Sequence, residues 1–247
     1  MISAGLDVGS RTIALVALNG RITARQVVDT GINPLQRCKE LLSGIEYERL
    51  VVTGYGRYLI TENIGGEAVS EIKAFAAGAR YLYPDCRTVI DIGGQDSKVI
   101  LLSGDGNVLK FEMNDRCAAG TGKFLEVMAK TLEVDINGLA GLALSATKSV
   151  SINSLCTVFA DSEVVSLIAK GEDSGAIALG LHKAISTRIA NMVKRVGLHE
   201  RAVLAGGGAL NRCLHHLLED KSGIKLTVPP VPQTVGALGA ALNTKKD

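Results

Sequence analysis

No two of the five cysteines stand in a C-x-x-C spacing, which excludes zinc ribbons and thioredoxin-type redox pairs. They lie far apart, at 38, 86, 117, 156 and 213, and structural disulfides are not expected in a reducing compartment. No apolar run approaches the roughly 20 residues of a membrane helix. Met1-Ile2-Ser3-Ala4-Gly5 has neither the basic region nor the apolar stretch of a signal peptide. A dominant charge is missing too: 27 basic and 25 acidic residues give no long-range field toward nucleic acid or anionic lipid. The expectation is a cytoplasmic protein that engages neither nucleic acid nor membrane. No G-x-G-x-x-G opens a helix after a first strand, so a dinucleotide fold is disfavoured. Gly120-Thr121-Gly122-Lys123 has the tail of a P-loop, but Phe124 stands where Ser or Thr should ligate Mg²⁺, and Cys117 takes the leading glycine's place.

What is present is repetition. Residues 5–18 (G-L-D-V-G-S-R-T-I-A-L-V-A-L) align with 90–102 (I-D-I-G-G-Q-D-S-K-V-I-L-L), placing Asp7 on Asp91 and Gly9 on Gly93. Each copy reads as a strand ending in Asp-x-Gly, a turn, and a second strand. Asn19-Gly20 supplies a two-residue hairpin in the first copy, and Ser103–Asn107 a longer loop in the second. Third strands follow near 21–29 and 107–113. Helix and strand then alternate: helix 33–44, strand 49–53 and helix 67–82 in the first half. In the second half come helices 121–132, 157–170 and 173–197, strand 201–205, helix 209–220, strand 224–228 and a closing helix 233–243. With 47% hydrophobic residues, the pattern predicts an α/β protein of two similar lobes with a cleft between them.

Both Asp-x-Gly turns suit a phosphate-binding cleft. Glycine lets backbone N–H groups approach phosphate oxygens, and Asp7 and Asp91 could supply the one or two carboxylates that Mg²⁺ takes from protein. A third glycine turn, Leu204-Ala205-Gly206-Gly207-Gly208-Ala209-Leu210-Asn211, offers a flat surface for an adenosine. Any one of these alone reads more readily as a simple tight turn; three of them with a duplicated aspartate point to nucleotide.

Two segments, F-E-M-N-D-R-C-A-A-G-T-G-K-F-L-E-V-M-A (111–129) and I-N-S-L-C-T-V-F-A-D-S-E-V-V-S-L-I-A (152–169), each present a cysteine at what reads as a helix start. Cys117 and Cys156 are half of the four thiolates a cubane cluster needs, so iron binding would require two copies of the chain. Cys38, Cys86 and Cys213 read as small buried hydrophobes. Asp115, Arg116, Asp161 and Glu163 beside the two cysteines read as solvated charges or caps, or as contacts to a partner. His215-His216 with Cys213 reads as a surface helix face rather than a metal site.

The stretches V-T-G-Y-G-R (52–57), D-I-G-G-Q-D-S-K-V-I (91–100), the two cysteine segments and P-P-V-P-Q-T-V-G-A-L-G-A-A-L (229–242) closely resemble the ATP-dependent activators of 2-hydroxyacyl-CoA dehydratases. That family includes the ATPase subunits of benzoyl-CoA reductase. The resemblance spans nearly the whole chain. It implies the acetate kinase, actin and Hsp70 ATPase fold, two ribonuclease-H-like lobes: 1–86, joined by the C-terminal helix 233–247, and 87–232. It implies a homodimer holding one [4Fe–4S] cluster through Cys117 and Cys156 of each subunit. It also implies ATP-driven transfer of a low-potential electron to a dehydratase or related double-cluster reductase, with ferredoxin or flavodoxin as donor. By position, Ser10, Arg11, Thr12, Gly93 and Gly94 would meet phosphates, Asp7 and Asp91 would serve Mg²⁺, and Gln95 would orient the attacking water. Gly207, Gly208, Asn211 and Gln233 would line the nucleoside end. Two departures stand out: Ile13-Ala14 where relatives often carry Ser-Lys, which leaves one phosphate-facing cation either missing or supplied by Arg11 or Lys98, and Ala74-Phe75 where they tend to carry Cys-His. Rival readings are a small-molecule kinase on the same fold, which needs an acceptor pocket this short chain has little room for, and an actin-like filament or regulatory ATPase, which leaves Cys117 and Cys156 unexplained.

Overall fold

The computed structural model describes residues 1–154 and 156–243; residues 244–247 of the expected closing segment lie outside them. Apolar residues fill both faces of the first two strands, β1 (Ser3–Val8) and β2 (Thr12–Asn19), so both faces must be covered. The edge strand β3 (Arg21–Asp29) stays polar and largely open. α1 (Pro34–Ser43, capped by Asn33), β4 (Arg49–Thr53), α2 (Arg57–Asn63) and the short β5 (Glu67–Ala68) complete the first half. Leu6, Ile13 and Leu15 pack on one face with Cys38, Leu41 and Ile60. Residues one step along, Ala14 and Val16, pack on the other with Ala237 and Leu238, as the two-residue period of a strand requires.

α3 (Glu71–Leu82) leads into β6 (Thr88–Ile92), β7 (Ser97–Leu102) and β8 (Val108–Asn114). Then come α4 (Gly122–Thr131), α5 (Ile136–Ser145), α6 (Thr157–Ala169), α7 (Ser174–Val196) and β9 (Ala202–Ala205), with α8 (Arg212–Ser222), β10 (Leu226–Thr227) and α9 (Val235–Leu242) at the end. The sheets run β3-β2-β1-β4-β5 and β8-β7-β6-β9-β10, the same order and the same parallel and antiparallel pairings. The repeat extends to detail. Asp7 pairs with Ala14 and Asp91 with Lys98. The β2–β3 ladder shifts register between Ala17 and Leu18, and the β7–β8 ladder at the matching place in the second copy, between Leu101 and Leu102.

The helix expected over 67–82 begins at Glu71. Ser70 caps it, accepting from Lys73, and Glu67–Ala68 pair with β4 instead. Neither α2 nor α5 was expected from the pattern. α5, I-N-G-L-A-G-L-A-L-S, has two glycines and weak intrinsic propensity. It forms because Asp135 caps it and Leu139, Ala140 and Ala143 are buried.

α3 and α9 cross between the halves. α3 packs Phe75, Ala76 and Ala79 against Val89, Ile100 and Val203 of the second sheet, while α9 covers the first sheet. The crossing is tight enough that a Cβ on Gly239 would stand 1.6 Å from the Ala74 carbonyl oxygen. No helix among the described residues is long and apolar enough to cross a membrane.

Candidate functional site

The two Asp-x-Gly turns adopt one geometry. Gly9 N–H donates to Thr12 O at 3.0 Å, and Gly93 N–H to Asp96 O at 2.9 Å. Thr30 pins the first turn through its hydroxyl to Gly9 O and its amide to Arg11 O. The turns face each other closely: a Cβ on Gly94 would lie 2.8 Å from Arg11 Cβ and 3.1 Å from Ser10 Oγ. Ser10, Arg11 and Gln95 are exposed there and Thr12 is half-buried. Arg11 also reaches α4, pairing Nε with Glu126 Oε1 at 2.8 Å.

The third glycine turn abuts the second. Gly206, at φ +79°, has no room for a Cβ against Asp91, and Gly208 none against Ile92. Gly207 is exposed with nothing within 4 Å of where its Cβ would stand, which leaves a bare surface. Asn211 is buried and committed: its Oδ1 caps α8 by accepting from Leu214 N–H at 3.0 Å, and its Nδ2 meets His182 Nε2 at 3.0 Å. Burial holds the His182 imidazole below its ordinary pKa against its bonds to Ala178 O and Asn211. Gln233 is half-buried in the 3-10 turn Pro232–Thr234, whose Pro232 O accepts from Gly206.

Asp7 and Asp91 converge with two carboxylates that sequence reasoning did not single out, Glu71 and Asp96, around a buried lysine. Lys98 Nζ lies 2.7 Å from Glu71 Oε2, 3.0 Å from Asp91 Oδ2 and 2.5 Å from Asp96 Oδ2. The Phe75 ring centroid is 5.2 Å from the same nitrogen. Burial opposes the Lys98 charge, but Asp91, Asp96 and Glu71 outweigh it and raise its pKa well above the usual value. Burial raises the Asp7 pKa to about 8, helped by the charges of Glu71, Asp91 and Asp96 and only partly opposed by Lys98. Asp91 is raised as well, by burial beyond what Lys98 offsets. Lys98, one of the two candidates for a phosphate-facing cation, is instead buried and committed to these carboxylates; it is the lone charge in the strand S-K-V-I-L-L. Nothing local announces Glu71, which the helix crossing delivers from the other half.

The aspartates suit a divalent cation. Asp91 Oδ1 is buried without a hydrogen-bond partner. Both carboxylates are cradled by glycines: a side chain on Gly54 or Gly236 would strike Asp7, and one on Gly206 would strike Asp91. That is room kept for something other than protein. Among the described residues no group of three or more His, Cys, Asp and Glu side chains is arranged to hold a metal ion, so the aspartates offer only part of a donor set.

Cys156 is exposed and is the N-cap residue of α6, its carbonyl accepting from Ala160 N–H. Cys117 is half-buried and lies just before α4, as the expected helix over 121–132 places it. It stands ahead of α4 rather than at its cap, in a loop held by Asn114 Nδ2 donating to Cys117 O and Ala119 O, both at 2.9 Å. α4 begins where its first amides find carbonyls: Gly122 N–H donates to Gly93 O at 2.9 Å and Lys123 N–H to Gly94 O at 2.7 Å. Ser97 Oγ donates to Gly120 O at 2.5 Å. The phosphate-type turn is thus bonded directly to the arm carrying Cys117. Glu163 binds the amides of Asn153 and Ser154 just before Cys156, and Thr131 of α4 donates to Asp161 of α6. These acids act as local braces. A groove of about 770 Å³ is lined by Arg116, which adjoins Cys117, and by Ile152, which begins the second cysteine segment, with Asn114, Arg188 and Arg195 along it. Cys38, Cys86 and Cys213 are buried, and burial pushes their thiols up to about 12, 11 and 11. His215 stacks on His216 and bonds Leu226 O, as a helix-face residue.

Residues 5–244 match the family model described as the BadF/BadG/BcrA/BcrD ATPase family. The chain is 40% identical to the 2-hydroxyisocaproyl-CoA dehydratase activator of Clostridioides difficile, covering 98% of this chain and 94% of that protein. It is also 40% identical to the (R)-2-hydroxyglutaryl-CoA dehydratase activating ATPase of Acidaminococcus fermentans, covering 98% and 96%. A solved structure of the activator of the 2-hydroxyisocaproyl-CoA dehydratase from Clostridium difficile, with bound ADPNP, superposes at a TM-score of 0.90, with 40% identity, over 98% of this chain and 93% of that one. The two-lobed fold with an intervening cleft is the fold of those ATPases.

Proposed function

The chain belongs to the BadF/BadG/BcrA/BcrD ATPase family, and from that premise we propose that it hydrolyses ATP to deliver a low-potential electron to a partner iron–sulfur enzyme. The partner class is a 2-hydroxyacyl-CoA dehydratase or related double-cluster reductase, with ferredoxin or flavodoxin as donor. The observation that carries the reading is the pair of backbone hydrogen bonds from α4 to Gly93 and Gly94, because it ties a phosphate turn to a cysteine loop.

Phosphates enter between the two turns, where Ser10, Arg11 and Thr12 face Gly93 and Gly94. Asp7 and Asp91 hold Mg²⁺, which when bound neutralises charge on the phosphate oxygens. Gln95, exposed beside them, orients the attacking water. The nucleoside lies on Gly207 and Gly208, with Gln233 beside it and Asn211 keeping the turn in place through its cap. The domains divide as residues 1–86 with the C-terminal helix, and 87–232.

Cys117 and Cys156 of each of two protomers would hold one [4Fe–4S] cluster, whose chemistry there is to store and release one electron. One feature supports a homodimer at that point and another an anionic cluster. Cys156 is exposed, and so are Val158 (70%) and Phe159 (67%) next to it, apolar surface that a second protomer would cover. The N-terminus of α6 carries a partial positive charge of roughly half a unit, suited to an anionic group beside Cys156. A shift of the Gly93–Gly94 turn on nucleotide exchange moves the first turn of α4 and, through Ser97 and Asn114, the Cys117 loop. Nucleotide biases that position only by binding its two states unequally.

The test is anaerobic: measure the reduction potential and partner docking with ADP and with a non-hydrolysable ATP analogue. Unequal values are expected. Equal potentials together with unchanged docking would remove the proposal.

A further inference from the structure

We propose that Lys98 is a built-in cation that keeps the carboxylate cluster closed to metal until a nucleotide brings its own oxygens. The inference rests on Asp7 and Asp91 being the Mg²⁺–nucleotide site.

Four carboxylates, Asp7 of β1, Glu71 of α3, and Asp91 and Asp96 around the second turn, crowd one small region. As they stand around the lysine they form no metal-holding group of three, but without a cation among them their like charges would draw in a divalent one. Lys98 prevents that. An ammonium has three N–H donors, and here three carboxylates lie within 3.0 Å of its nitrogen, one for each. The side chain is 2% exposed, with the apolar Phe75 ring against it, so water cannot substitute for its charge. Glu71, Asp96 and one oxygen of Asp91 are thereby taken. What remains is Asp7 and the orphaned Oδ1 of Asp91.

Two carboxylate groups are too few to hold Mg²⁺ firmly alone, but they suit a metal that completes its shell with phosphate oxygens and water. The position equivalent to Lys98 in the first copy, Ala14, is buried and uncharged, so Asp7 has no lysine opposite it in its own ladder. The first copy's aspartate thus has no lysine opposite it, whereas the second copy's keeps only its Oδ1 for metal. The same lysine, through Glu71, fixes the first turn of α3 to the second sheet, and Arg57 Nη1 stands 3.9 Å from Glu71 on the other side.

The experiment is a Mn²⁺ titration of the intact protein without nucleotide, reading free Mn²⁺ by electron paramagnetic resonance, for wild type and Lys98→Met. Wild type should bind Mn²⁺ weakly until ADP is added. Lys98→Met should bind Mn²⁺ alone at least about tenfold more tightly, because the cluster regains its oxygens. Lys98→Arg, which keeps the charge, should stay weak. If Lys98→Met does not fold, Lys98→Met/Asp96→Asn removes one charge of each sign and is read in the same titration with the same expectation. Metal affinity within twofold of wild type in the folded variant overturns the proposal, as does tight nucleotide-free Mn²⁺ binding by wild type. A wild type that binds no Mn²⁺–ADP at all would instead overturn the nucleotide site itself.

Discussion

Gly239→Ala adds one methyl group to α9, and the structure gives it nowhere to go. The new Cβ would stand 1.6 Å from the Ala74 carbonyl oxygen and 2.5 Å from its carbon, both backbone atoms of α3 that cannot rotate away. Restoring an ordinary contact of about 3.3 Å means parting the helices by well over an ångström, which breaks close packing along the whole crossing. α3 is seated on the second sheet and α9 on the first, so the separation is felt as a change in how the halves meet. Overpacking a rigid core costs about 1–3 kcal/mol, and the upper end applies where backbone opposes backbone. About 3 kcal/mol in a chain of this size lowers Tm by roughly 6–12 °C. A matched control is available in Gly141→Ala. Gly141 is exposed in the middle of α5, with nothing within 4 Å of where its Cβ would stand. There alanine should stabilise by roughly 0.5–1 kcal/mol through helix propensity alone. Urea unfolding of both variants, with KM for ATP measured beside it, gives the comparison. The packing argument would be refuted if Gly239→Ala lay within about 0.5 kcal/mol of wild type, the range of an ordinary surface substitution. It would be refuted equally if both substitutions moved stability in the same direction.

Two further substitutions probe the site. Asp7 has a folded-state pKa near 8 against an ordinary value of 3.8, so the native state binds more protons between those limits and loses stability as pH rises through them. Asp7→Asn should therefore flatten the stability profile of the nucleotide-free protein and raise its stability at pH 8 by on the order of 2 kcal/mol, allowing for solvent at the carboxylate, as read by denaturant titration across pH. A variant profile parallel to wild type would contradict it. Glu163→Gln should lower iron loading severalfold, because the neutral amide binds the Asn153 and Ser154 amides less strongly than the carboxylate does. Affinity for ADP, measured by calorimetry, should be unchanged; full iron content would count against the brace.

The duplicated architecture was legible because it is written in residues whose chemistry is local. Asp-x-Gly at 7–9 and 91–93, flanked by apolar runs, predicts two strand–turn–strand units wherever it sits, and the structure repeats them down to the register shift. What stayed hidden depends on distant parts meeting. α5 exists because a core covers its apolar face, which its glycines do not predict. The start of α4 near residue 121 was legible, but not that carbonyls of Gly93 and Gly94, on the far side of β7 and β8 in the chain, fix it there. Glu71 enters the carboxylate cluster only because α3 crosses from the first half to the second sheet. Phe75, singled out only as a departure from the relatives' Cys-His, turns out to wall that cluster beside Lys98.

Native mass spectrometry of the anaerobically purified protein tests the central claim most directly. The account predicts a species of two chains with four irons and four sulfides, lost on Cys156→Ser and on Cys117→Ser alike. An iron-free monomer, or full iron retained after either thiol is removed, would contradict it.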